Sequence, residues 1–180
     1  MNALSRIPPP IMRASTNNFT LGHLILRHEK VPEKGFYKND DATEWLLGHR
    51  MPPFQRPALW TLEQQVRFLT SCWSGIHLGT YVVNRVDNWR DNFLPHVDNW
   101  LIDGQQRLRA IKAYLEDEFS VYGYRWSELT KIEQRHFDNI PFACSMVHET
   151  SESNLRMLYD LLNFGGTPHT EDQRATLPVA

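Results

Sequence analysis

The sequence predicts one small domain of mixed class, α/β or α+β. Stretches with helical spacing of apolar residues alternate along the chain with short runs rich in β-branched residues, as where "TLEQQVRFLTSCW" gives way to "TYVVNRV". The chain has 180 residues, enough for one domain with a substantial hydrophobic core, and no internal repeat interrupts the alternation.

Residues 1–18, "MNALSRIPPPIMRASTNN", carry Pro8, Pro9 and Pro10 and little periodicity. They read as an extended N-terminal arm, loose or laid over a neighbouring surface, ahead of a domain over residues 19–180. In residues 19–47 the signals are weaker. "TEWLLGH" suits a short helix leading into the strand-like "HRMPPFQR", where repeated X-Pro bonds hold Met51 to Pro57 extended. Thr61 and Gln64 form a capping box, and Leu62, Val66, Leu69 and Trp73 follow helical spacing up to a stop at Gly75. "TYVVNRV" is a strand, "DNWRDNFLPHVDN" a polar loop or hairpin, and "NWLID" a buried strand. "GQQRLRAIKAYLEDEF" is a helix with Leu108, Ile111, Leu115 and Phe119 on one face. Thr130 and Glu133 cap a further helix through His136, and "IPFACSMVHE" is a strand. "SESNLRMLYDLLN" is a helix with Leu155, Leu158 and Leu162 inward; "FGGTPHT" ends it, and Thr170 with Gln173 caps a last short helix.

Composition narrows the function classes. A formal net charge of −2 argues against wholesale nucleic-acid binding while allowing a local basic cleft. The two cysteines, Cys72 and Cys144, sit in apolar stretches as buried thiols, and the eight histidines show no metal-ligand spacing. No apolar run is long enough to cross a bilayer and the N-terminus lacks a signal-peptide pattern, so cytosolic residence is expected.

The stretch that carries chemistry is "NWLIDGQQRLRAIKAYL", where a strand hands over to a helix. A helix N-terminus exposes unpaired N–H groups and a partial positive charge, so it holds anions. Gly104, without a Cβ, lets a phosphate approach that backbone, and Arg107 in the first turn offers a planar fork to phosphate oxygens. Gln105 and Gln106 bring neutral donors and acceptors for a ribose, a base edge or a water. Asp103 suits a Mg²⁺ ligand or a general base. By spacing alone a second reading is equally open, in which Asp103 is the N-cap of a helix with a solvated face. Neither a G-x-x-x-x-G-K-[ST] loop nor G-x-G-x-x-G is present.

"LIDGQQRLRAIKAYL" resembles the signature of the DGQQR-motif domain family, which is related to ParB and sulfiredoxin and includes the N-terminal part of GmrSD-type restriction enzymes. "MPPFQRPALWTLEQQVRFL", "SGIHLGTYVV", "ELTKIEQRHFDNIPFACSMV" and "LYDLLNFGGTPHTEDQRA" are similar to the family's other segments, in the family's order, over roughly residues 42–175. The resemblance implies an α+β domain, a ParB/sulfiredoxin-like small mixed sheet flanked by helices. It further implies a nucleotide site that hydrolyses an NTP (ATP, GTP or CTP undecided) or transfers its phosphate with Mg²⁺ in a DNA-related process. Asp103, Gln105, Gln106 and Arg107 would be catalytic, with Asp103 the metal ligand. Gln55, Arg56, Gly104, Arg107, Asn163, Gly165 and Gly166 would hold the nucleotide, Arg56 as a second phosphate clamp. The sequence runs only a little beyond the N-x-G-G segment, so no HNH-type nuclease domain is expected on it. The implied partners are then the nucleotide, DNA and a separate nuclease subunit, in the cytoplasm of a bacterial or phage-infected cell.

Other readings stay open beside this one: a DNA nickase using the same pocket, or a non-catalytic phage protein that binds a host defence complex. Arg107, Arg109 and Lys112 make a modest basic stripe suited to a nucleic-acid backbone, although a solvated face is the commoner explanation. Asn163 with Gly165 and Gly166 is equally a helix C-terminus and an anion nest. Trp60 reads as core packing rather than a platform for a base.

Overall fold

The computed structural model describes residues 10, 12–28, 42, 44–86 and 95–164. In chain order its elements are β1 (Ala14–Asn17), α1 (Leu21–His28), β2 (Trp45–Leu46), β3 (His49–Arg50), α2 (Leu62–Trp73), β4 (Thr80–Asn84), β5 (Leu101–Asp103), α3 (Gln105–Leu115), α4 (Lys131–Asp138), β6 (Ala143–Val147) and α5 (Glu152–Phe164), with a 3₁₀ turn at Trp126–Glu128.

Four strands form the central sheet in the order β1-β6-β4-β5. β4 and β6 run parallel, and the two outer strands pair antiparallel to them. The sheet is therefore mixed and the chain is a single-domain α+β arrangement. The alternation of "TYVVN" explains how the sheet is covered on both faces. Tyr81 and Val83 lie beside Cys144 and Met146 and join the larger core with Leu24, Leu69, Leu108, Ile111 and Phe137 of the first four helices. Val82 points the other way, to Trp100, Ile102, Val147 and the inner face of α5, Leu155 and Tyr159. Both cysteines are buried and free.

The capping boxes form as expected: the Thr61 and Thr130 side chains accept from the backbone N–H groups of Gln64 and Glu133, whose side chains reach back. Leu62 and Leu162 are exceptions to the expected inward faces, both exposed near a helix end. The helix expected at "TEWLLGH" is instead a hairpin. β2 and β3 pair antiparallel around Leu47 and Gly48, both at positive φ (47° and 75°), a two-residue turn that matches strand twist. Burying Leu46 and Leu47 together in the larger core holds that turn in place of a helix. The N-terminal stretch supplies β1, an edge strand against β6, and α1 follows it without a clear signal in the sequence. Residues 87–94, the N-x-G-G glycines and the short helix expected after Thr170 lie outside the described residues.

A buried polar knot fixes the chain as it enters β5. Asn99, at φ 58°, accepts through Oδ1 from Arg27 Nη2 (3.0 Å) and His49 Nδ1 (2.9 Å), and its Nδ2 donates to the Gly48 carbonyl (2.9 Å). Asn84 Nδ2 donates to the carbonyls of Val97 and Glu149, at 2.9 Å each. The hairpin, β4 and β5 are thereby fastened together behind the strand-to-helix join.

Candidate functional site

β5 ends at Asp103, and Gly104 turns the chain into α3 with φ 101° and ψ 5°. A Cβ on Gly104 would lie 2.6 Å from Tyr81 Cβ, so glycine is required here by the close approach of β4. That close approach alone accounts for a glycine at the join. The Asp103 N-cap reading is corrected: Gly104 is the N-cap residue, and among the described residues no side chain caps the helix. The first-turn N–H groups of α3 therefore keep their capacity for an acceptor.

Asp103 instead pairs with Arg107. Arg107 Nη2 donates to Asp103 Oδ2 at 2.9 Å and Nη1 donates to the Leu78 carbonyl at 3.1 Å. The guanidinium lies over the Phe142 ring and against Gly79, where a Cβ would come within 2.7 Å of Nη1. Burial pulls the Arg107 pKa down, and Asp103 pulls it back up. Arg107 is thus a tethered cation at the start of α3, and each of its Nη atoms keeps a second N–H beside the one it uses.

The two glutamines divide. Gln106 Oε1 accepts the N–H groups of Leu59 and Trp60, both at 3.1 Å, and so fastens the extended segment ahead of α2 to the start of α3. Gln105 is buried at the same join. Gln55 has a matching role on β5, the edge strand of the sheet: its Nε2 donates to the carbonyls of Leu101 (2.8 Å) and Ile102 (3.1 Å). Phe54, edge-on to Trp100 and Tyr159, anchors the same segment in the smaller core.

These anchors leave Arg56 at the rim. Its backbone N–H donates to Tyr159 Oη (3.3 Å), its side chain is exposed, and among the described residues its guanidinium makes no ion pair. Asn163, one turn further along α5, donates from Nδ2 to the Tyr159 carbonyl at 2.9 Å. Gln55, Arg56, Trp60, Asp103, Gly104, Gln105, Gln106, Arg107 and Asn163 together line one cleft of about 190 Å³. The structure thus brings together every site residue expected from sequence except Gly165 and Gly166, which lie outside the described residues. Tyr159 and the Leu78 carbonyl escaped the sequence reading. Only Tyr159 left a signal, four residues after Leu155 on the inward face of its helix.

Two arginines, one carboxylate and the positive end of an eleven-residue helix give the cleft a net positive character. Outside it, α3 does not keep the basic stripe. Arg109 pairs with Glu44 and Lys112 with Glu116, each at 2.7 Å, so each cation of that stripe has its own carboxylate. Among the described residues no group of three or more His, Cys, Asp or Glu could hold a metal ion. Asp103, the only carboxylate among the described residues that line the cleft, suits a divalent cation that arrives already bound to phosphates. No described helix is long and apolar enough to cross a membrane.

No curated protein and no solved structure matches this chain. A family model described as the GmrSD restriction endonuclease, N-terminal domain, matches residues 34–173. That span takes in the whole cleft and most of the sequence, and on it the chain belongs to the family of GmrSD N-terminal domains.

Proposed function

We propose that the cleft binds the phosphates of a nucleoside triphosphate and, with Mg²⁺, hydrolyses it or passes its phosphate on. The observation that carries this reading is the pairing of an uncapped helix N-terminus with Arg56, an exposed arginine whose charge no described carboxylate takes. Phosphoryl transfer asks mainly for placement and charge neutralisation, which such groups supply. The N–H groups opening α3 hold one phosphate and Arg56 clamps another. Gln105 is left to orient an attacking water, because the Gln106 oxygen is spent on Leu59 and Trp60. Arg107 holds the Asp103 carboxylate in place at the cleft floor, with one oxygen outside the ion pair. Mg²⁺, when bound with the triphosphate, would neutralise phosphate charge beside that oxygen.

Membership in a family of restriction-endonuclease N-terminal domains supports placing this chemistry in a process that restricts DNA, with a separate nuclease subunit as partner. The neutralised stripe on α3 disfavours direct DNA cutting at the same pocket.

The test is phosphate release from ATP, GTP, CTP and UTP with Mg²⁺, with and without DNA. Arg56→Ala should cut release by tenfold or more, the order expected for losing one charge-stabilising group, with an unchanged melting temperature. Failure of every triphosphate to bind or turn over would overturn the proposal.

A further inference from the structure

Trp60 lines two depressions at once. One is the cleft just described; the other is a groove of about 260 Å³ formed by Trp60, Gln64, Arg67, Phe68 and Ser71. We infer that this groove receives the base of the nucleotide whose phosphates occupy the cleft, and that Trp60 holds it by stacking. The inference rests on reading the cleft as a triphosphate site.

Three observations support it. The Trp60 backbone is bonded to the Gln106 side chain at 3.1 Å, so its ring starts beside the helix end that takes the phosphates. The ring is half-buried, set against the core through Phe68 at 5.6 Å between centroids, and still borders both depressions. The polar neighbours are engaged within their own helix: Gln64 Oε1 accepts from Thr61 N–H, Arg67 pairs with Glu63, and Ser71 Oγ donates to the Arg67 carbonyl. Those bonds tie the polar side chains to α2, and the part of the Trp60 ring left outside the core completes the groove's wall. A site that grips a base by its face tolerates different edges, because every base has a π-face. Purines, with the larger face, then bind tighter than pyrimidines, and adenine is little separated from guanine.

The experiment is calorimetric titration of the full chain, with Mg²⁺, using ATP, GTP, CTP, UTP and inorganic tripolyphosphate. Wild type is compared with Trp60→Leu, which keeps an apolar side chain, and with Trp60→Phe, which keeps a ring. Thermal melts confirm that both variants fold. The expected result is that Trp60→Leu weakens ATP by on the order of tenfold, the scale of one stacked base, while tripolyphosphate affinity does not move. Trp60→Phe restores most of the loss, and ATP and GTP stay within a few-fold of each other. An equal fall for ATP and tripolyphosphate in Trp60→Leu, or no fall for ATP, overturns the stacking inference while leaving the triphosphate reading in place. A wild-type protein that binds none of the five ligands overturns both.

Discussion

Gly104→Ala is the sharpest test of how the site is built. The new Cβ meets Tyr81 Cβ at 2.6 Å and Tyr81 Cα at 3.2 Å, atoms of an interior strand that no rotamer change can move. The backbone must also hold φ 101°, where an L residue is strained by about 1–2 kcal/mol. Crowding a packed core adds about 1–3 kcal/mol, and the reduced freedom of the unfolded chain returns under about 1 kcal/mol. The net loss is about 2–4 kcal/mol, a fall in Tm of about 4–16 °C for a domain of this size. Gly75→Ala is the matched control. Its φ is 69° and a Cβ there meets nothing within 4 Å, so only the backbone strain of about 1 kcal/mol applies. Urea unfolding of both variants beside wild type reads the difference as a shift in midpoint at constant slope. Equal losses at the two positions would remove contact with Tyr81 as the reason for glycine at the join.

Two more predictions concern the supports of the cleft. Gln106→Leu strips the acceptor from two backbone N–H groups and should cost about 1–3 kcal/mol, with faster amide exchange at Leu59 and Trp60; Gln106→Glu keeps an acceptor there and should retain the stability. Unchanged exchange in the leucine variant would count against that fastening. His49 is buried beside Arg27, and burial lowers its pKa from 6.5 to about 3. It is therefore neutral in the fold at pH 5, whereas the unfolded chain takes up a proton below pH 6.5. The stabilisation is complete above 6.5 and declines as pH falls toward 3, by about 2 kcal/mol between pH 6.5 and 5. His49→Gln should remove that part of the acid dependence, and parallel urea profiles for wild type and variant at pH 7, 6 and 5 would refute it.

The legible parts of the fold were those with local causes. Capping boxes placed α2 and α4 because Thr–Gln and Thr–Glu pairs three apart bond to each other before any tertiary contact forms. The hairpin at β2 and β3 was not legible, since a leucine at φ 47° is paid for only by core contacts. Nor was the pairing of β1 with β6, whose partners lie at opposite ends of the chain. The same division runs through the site. Residue types and order assembled the members of the cleft, but not which of their atoms were already committed. Gln105 and Gln106 are neighbours of one type, yet the Gln106 oxygen alone takes the backbone of the preceding segment, a contact with residues 46 and 47 positions away.

That commitment separates the two arginines of the cleft and accounts for an acid beside the proposed anion site. Arg107 spends Nη2 on Asp103 and Nη1 on the Leu78 carbonyl, in a pair only 21% and 31% exposed. A phosphate that swung the Arg107 side chain out of this position would break both bonds and leave Asp103 without its counter-charge next to another anion. Partly buried carboxylates lose most from such separation. The pair is therefore best kept intact when an anion binds, its charges nearly cancelling. The attraction then comes from the α3 N–H groups and from Arg56, whose guanidinium has no described carboxylate to leave. Substitution should separate the two roles: loss at Arg107 appears first as lost stability, and loss at Arg56 as lost anion affinity on a fold that melts as before.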